Sequence, residues 1–228
     1  MPTREEPMAH VDVWVLAVGT GTEPGAPRRA VLSPAELRRA HAYSDAAART
    51  RFVETRTALR SILGDVLGVA PEAVPLRIGS TGRLLVGPDG GTTCRVSVAH
   101  TEGCGLVAVA RTAAVGIDVE PAGRQVRTDT AERVCSPRER AALADRTGEE
   151  WTARFLRLWV RKEAVAKADG RGVAIGFADL DVSDTGPVRV PGSTDAIHVA
   201  DLDLGAGHVG AVATSADPPA VVLHRWEG

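Results

Sequence analysis

Two stretches of helical periodicity, each followed by strand-like runs, constrain the fold of this chain more than any other feature. From Asp45 to Leu67 the apolar residues Phe52, Leu59, Ile62, Leu63 and Val66 recur at helical spacing, and Gly68 fits a C-cap. From about Glu149 to Ala168 an apolar stripe runs through Trp151, Phe155, Leu158, Trp159 and Ala166, and the stretch ends at Asp169-Gly170-Arg171-Gly172. Strand runs at Arg95 to His100, Gly105 to Arg111 and Val115 to Glu120 follow the first helix; runs near 178–182, 196–204, 208–214 and 221–226 follow the second. An opening strand, Val11 to Ala17, is broken by Gly19, Gly21, Pro24 and Pro27, Ser33-Pro34 starts a helix, and Ser136-Pro137 restarts a charged helical region from about Thr128 to Arg146. The expected fold is α+β and pseudo-dimeric, with two similar α/β lobes, residues 1–112 and 113–228. Each lobe would pack a long helix on a small antiparallel sheet, with a site expected in the cleft between them. A faint echo between residues 95–112 and 198–214 supports duplication, although generic strand composition produces the same pattern.

Charge narrows the partners. With 27 basic and 29 acidic residues the net charge is −2, so no general basic field draws nucleic acid or an anionic membrane, and any anion site must be local. Only two of the basic residues are lysines, Lys162 and Lys167; codon bias explains their rarity but not their closeness. The three cysteines, Cys94, Cys104 and Cys135, have no CxxC spacing and read as small apolar residues. Arg4, Glu5 and Glu6 are unlike the start of a secretory leader and no run is long enough to span a bilayer, so a cytoplasmic location is expected.

The chemistry concentrates in two segments. In Val115-Gly116-Ile117-Asp118-Val119-Glu120-Pro121, strand alternation turns Val115, Ile117 and Val119 to a core and puts Gly116, Asp118 and Glu120 on the other face. Two carboxylates on one face suit Mg²⁺ with room for water; a solvated acidic edge is the alternative. On the second helix Lys162 falls inside the apolar stripe, where an ammonium must snorkel out or meet an anion. Glu163 and Lys167 stand one turn apart on its shoulder, as a surface ion pair or as a metal ligand beside a phosphate contact. Arg154, Arg157 and Arg161 fall opposite the stripe and read as solvated.

Gly116-Ile117-Asp118-Val119-Glu120, followed by Trp159-Val160-Arg161-Lys162-Glu163-Ala164-Val165-Ala166-Lys167-Ala168-Asp169-Gly170, resembles the paired signature of 4′-phosphopantetheinyl transferases of the surfactin-synthetase-activating (Sfp-like) branch. Arg95 to Thr101 is similar to the family's strand ending in Ser-His-Ser, Val134 to Glu139 to its Phe-Phe-Ser-x-x-Glu, and Gly82-Arg83-Leu84 to its Gly-Lys-Pro. The resemblance implies transfer of 4′-phosphopantetheine from coenzyme A to a serine of apo acyl, peptidyl or aryl carrier proteins, leaving 3′,5′-ADP. These carriers belong to polyketide, nonribosomal peptide, siderophore or fatty acid synthases. The enzyme is expected to be a monomer. It further implies that Asp118, Glu120 and Glu163 hold Mg²⁺, or Mn²⁺ in its place. Lys167 and His100 would contact phosphates, with Thr101 and Lys162 beside them; Arg51, Arg39 and Arg56 would meet the 3′-phosphate, and Gly82-Arg83 would lie by the adenine. Glu163 is the first choice of general base and Glu139 the second, a helix-cap role being the alternative for Glu139. For His100 the alternative is a hydrogen-bonded turn residue, and for Arg51 and Arg56 a solvated helix flank. Ala99, Leu84 and Val134-Cys135 depart from the family pattern. A coenzyme A-binding module without turnover and a Mg²⁺-dependent pyrophosphate hydrolase are the competing functions.

Overall fold

Ser33 and Ser136 each start a short helix in the same way. The serine hydroxyl accepts from the backbone N–H three residues on, and the glutamate there accepts from the serine's own N–H. These helices are α1 (Pro34–His41) and α4 (Pro137–Ala144); the others are α2 (Ala46–Leu67), α3 (Thr128–Val134) and α5 (Gly148–Asp169). The structure, a computed structural model, describes residues 10–19, 30–87, 94–215 and 220–227. Arg4, Glu5 and Glu6 and the breakers Gly21, Pro24 and Pro27 lie outside the described residues.

The strands are β1 (His10–Leu16), β2 (Leu76–Ile78), β3 (Leu84–Val86), β4 (Arg95–His100), β5 (Gly105–Ala110), β6 (Val115–Pro121), β7 (Gly186–Val188), β8 (Ile197–Leu202), β9 (His208–Thr214) and β10 (Ala220–Trp226). One four-stranded sheet has the order β10-β1-β5-β4, a second β6-β9-β8-β7, and β2 and β3 form a small ribbon. The fold is α+β. Helix α2 packs on β4 and β5, and α5 on β6, β9 and β8. Among the described residues no helix is long and apolar enough to cross a membrane, and all three cysteines are free and buried.

Two expectations change. The run near 178–182 is no strand: Phe177–Asp179 is a 3₁₀ turn, and its neighbourhood is used for its carbonyls. Strand β10 pairs in parallel with β1, His10 opposite Ala220 through Leu16 opposite Trp226, so the chain's last strand lies in the first sheet. Alternating apolar residues specify a strand but not its partner.

The placement of β6 positions the site. Val115, Ile117 and Val119 face Val11, Val13 and Ala108 of the first sheet in an apolar layer. The opposite, acidic face lies under α5, with Asp118 buried and Glu120 partly buried. Gly116 makes this approach possible, since a Cβ there would stand 2.0 Å from the Ala164 carbonyl oxygen and 2.4 Å from the Ala168 nitrogen. Gly116→Ala is therefore expected to force α5 off the strand and cost about 3 kcal/mol, roughly 6–12 °C of thermal midpoint. A melt by circular dichroism checks this; an unchanged midpoint would mean that the helix does not rest on this glycine.

Candidate active site

Lys167, near the C-terminal end of α5, donates to Asp118 Oδ1 at 2.7 Å and to the Ile117 carbonyl at 2.9 Å. The ammonium therefore bonds across to β6 and leaves Glu163, its neighbour one turn back, without an ion pair among the described residues. Asp118 is 8% exposed, and its second oxygen, Oδ2, is buried with no hydrogen-bond partner. Burial pushes the Asp118 carboxyl up, against the pull of Lys167. Burial also raises Glu120, opposed by Arg124 and reinforced by Asp118, and raises Glu163, reinforced by Asp118 and opposed by Lys167. Glu120 is paired with Arg124, whose guanidinium lies over the Trp159 ring, 5.7 Å from its centroid. Three carboxylates thus feel one another on the buried face of one strand and the helix above it. The Ile117 N–H donates to Ser97 Oγ at 3.1 Å, which ties β4 of the first sheet to the strand that carries the acids.

Beside Lys167 opens a cavity of about 380 Å³, within the size of small-ligand sites. Among the described residues Arg39, Arg56, Arg83, His100 and Lys167 line it and no carboxylate does, so the lining suits an anion. Its walls come from α1, α2, the β2–β3 ribbon, β4 and the end of α5. Arg39 and Arg56 both lie over the Phe52 ring, at 5.8 and 5.4 Å. Arg56 is further held by Glu36 at 3.4 Å, and the same Glu36 binds Arg60 at 2.7 Å. Arg83 reaches over the end of α5. Gly170 ends that helix at φ +90, and a Cβ there would stand 2.9 Å from Arg83 Nη1. Arg83 Nη2 is buried without a partner. Burial, with the charges of Arg51 and Lys167, lowers the pKa of His100, so its imidazole is neutral at pH 7.

This arrangement has known counterparts. Residues 114–208 match the sequence model of the 4′-phosphopantetheinyl transferase superfamily. A 4′-phosphopantetheinyl transferase of Nostoc sp., HetI, is 36% identical over 166 residues, 71% of this chain and 69% of the relative. The chain belongs to the 4′-phosphopantetheinyl transferases. A putative member from Synechocystis sp. is 28% identical over 168 residues, 72% of this chain and 67% of that one.

In this transferase the cavity brings together Arg39, Arg56, Gly82, Arg83, His100 and Lys167. Arg51 stays half-buried at its edge, with Nη2 3.8 Å from Asp45. Thr101 sits in the β4–β5 turn, its N–H donating to the Cys104 carbonyl. Asp118, Glu120 and Glu163 lie beyond Lys167 and outside the lining.

Lys162 and Glu139 are corrections. Lys162 is fully buried, and its ammonium donates to Glu139 Oε2 and the Phe177 carbonyl, both at 2.8 Å, and to the Leu180 carbonyl. All three donors are used, and none remains for a phosphate. Glu139 is equally buried; it accepts from the Ser136 and Val182 N–H groups, each at 2.8 Å, as well as from Lys162, so it is no base for a substrate. On a helix of about 100° per residue, Lys167 stands about 140° round from Lys162, so the two lysines serve different faces. Arg161, expected in solvent, is also buried: it grips Asp201 through two 2.7 Å bonds and donates to the Val182 and Ser183 carbonyls.

Among the described residues no three of His, Cys, Asp and Glu stand ready to ligate one ion, because Lys167 holds Asp118 and Arg124 holds Glu120. The donors nevertheless fit Mg²⁺ in kind. They are carboxylate oxygens, they raise one another's pKa values, and Asp118 Oδ2 is buried and unclaimed.

Sequence reasoning passed over Ser97, Tyr43 and Thr55, which also line the cavity. Thr55 follows Phe52 by three positions and Arg51 by four, a helical spacing that was available as a signal.

Proposed function

We propose that this transferase moves the 4′-phosphopantetheine of coenzyme A onto a serine of apo carrier proteins, as a monomeric cytoplasmic enzyme of the surfactin-synthetase-activating branch. In this reading residues 1–112 and 113–228 are related lobes, the second lending its last strand, β10, to the sheet of the first, and coenzyme A lies in the cleft between them. The observation that carries it is the cationic cavity directly beside the three mutually coupled carboxylates, with Lys167 between the two. The acids are the wrong charge to bind a phosphate themselves, while the cavity is the right charge for a ligand with three phosphates.

Arg39, Arg56 and Arg83 bind and orient the nucleotide end, and His100 offers a hydrogen bond. Lys167 leaves part of its bond to Asp118 for the pyrophosphate. Asp118, Glu120 and Glu163 would hold Mg²⁺, which supplies charge neutralisation of the leaving phosphate. Glu163, the acid without an ion pair among the described residues, takes the proton of the serine hydroxyl as that oxygen bonds to the phosphorus that bears pantetheine. The bond from this phosphorus to the bridging oxygen breaks, and 3′,5′-ADP departs with the electron pair. Positioning and charge neutralisation carry most of such a transfer.

The test is a panel of apo carrier proteins from fatty acid, polyketide, nonribosomal peptide and siderophore synthases, incubated with the enzyme, coenzyme A and Mg²⁺. At least one should gain a single phosphopantetheine by intact mass, with 3′,5′-ADP released in equal amount and chelator abolishing both. Release of 3′,5′-ADP with no carrier modified would establish a hydrolase instead.

A further inference from the structure

Phe52 lines the cationic cavity and carries two guanidiniums over its ring, Arg39 of α1 at 5.8 Å and Arg56, one turn further along α2, at 5.4 Å. The ring is 4% exposed. It packs with Leu32, Ala40 and Val53 in the small core between the two helices, and Tyr43 lies against it at 5.5 Å and 39°. Two like charges converge on this ring. Burial lowers the pKa of Arg56, Glu36 opposes that, and the charges of Arg60 and Arg39 add to it. Glu36 also binds Arg60, so three guanidiniums stand against one carboxylate, and among the described residues Arg39 has neither an ion pair nor a hydrogen bond. An aromatic ring attracts a cation through its quadrupole while carrying no net charge. It therefore holds the arginines in place without cancelling the charge that a ligand meets, which a carboxylate in the same position would do.

We propose that Phe52 is a positioning residue of this enzyme, its ring the platform on which Arg39 and Arg56 converge so that the two grip one phosphate group of coenzyme A together. The inference rests on the cavity being the coenzyme A site. It joins arginines from two helices into one unit: the phosphate relieves the repulsion between them, and the ring keeps them together until it arrives.

A double-mutant cycle separates this from a packing role. Phe52→Leu removes the ring and keeps an apolar side chain; Arg39→Met removes one cation and keeps its stem. For the wild type, titration calorimetry should first detect coenzyme A; no binding would overturn the cavity assignment and this inference together. Given binding, Phe52→Leu is expected to bind coenzyme A about tenfold more weakly, the weight of cation–ring contacts to two arginines. Phe52→Tyr, which restores the ring, should stay within about threefold of wild type. In protein that already carries Arg39→Met, Phe52→Leu should cost only about threefold, because one of the two cations that the ring holds is gone. Where Phe52→Leu does not fold, as read by circular dichroism, Phe52→Met carries the same cycle. Wild-type affinity in the folded ring-less variant would overturn the inference while leaving the cavity assignment intact. The same loss with and without Arg39, or a loss in Phe52→Tyr equal to that in Phe52→Leu, would overturn it in favour of packing.

Discussion

Asp118→Asn protein is expected to fold, to retain coenzyme A binding within a few-fold, and to lose carrier modification by at least about 100-fold, since loss of charge compensation at a transferring phosphoryl group costs several kcal/mol. Asparagine keeps the shape of the side chain, and its carbonyl can still accept from Lys167. What it removes is the negative charge, which burial already disfavours. The fold therefore loses little: Lys167 is 31% exposed and can turn to solvent when its partner is neutral. The reaction loses much, because the unclaimed Oδ2 is the carboxylate oxygen best placed to accept a cation. Intact-mass kinetics on one carrier protein, with a melt and a coenzyme A titration of the same preparation, check the three parts. Modification within threefold of wild type would remove Asp118 from the mechanism.

The second large effect is on stability. Lys162→Met should destabilise the protein by about 3–5 kcal/mol, because it leaves the Glu139 carboxylate charged, buried and without its cation. Burial pushes the Lys162 ammonium down and Glu139 holds it up, so the pair survives only as a pair. Combining Lys162→Met with Glu139→Gln should cost much less than the sum of the two single changes, the sign of direct coupling, as read by urea unfolding. Coenzyme A affinity of the folded double variant should equal that of wild type. Weakened binding in a stable variant would return Lys162 to the ligand site.

These two residues also mark where the sequence stops being informative. Lys162 inside an apolar stripe could only snorkel or find an anion, and that much followed from periodicity. Which anion it finds does not follow, since Glu139 lies on another helix and looks like the closing residue of a capping box, which it also is. One carboxylate filling both roles becomes visible only when α4 and α5 are packed together. Arg161 shares this history: it stands on its helix as if solvated, and it is buried on a carboxylate and on backbone carbonyls that no local pattern announces.

Local features were decided locally. The strands Arg95–His100 and His208–Thr214, the two serine caps, the glycine ends of both long helices and the alternation that puts Asp118 and Glu120 on one face all follow from neighbouring residues, because steric and hydrogen-bond preferences act over a turn of helix or two residues of strand. The family signature belongs here too, being contiguous motif. Tertiary structure alone decided that α5 covers the acidic face through Gly116, that Lys167 bonds to Asp118 instead of Glu163, and that β10 returns to β1. Each of these depends on how far a helix is rotated and how closely it approaches a sheet. That geometry is set by the packing of the whole core, so residues far apart in the chain determine it jointly.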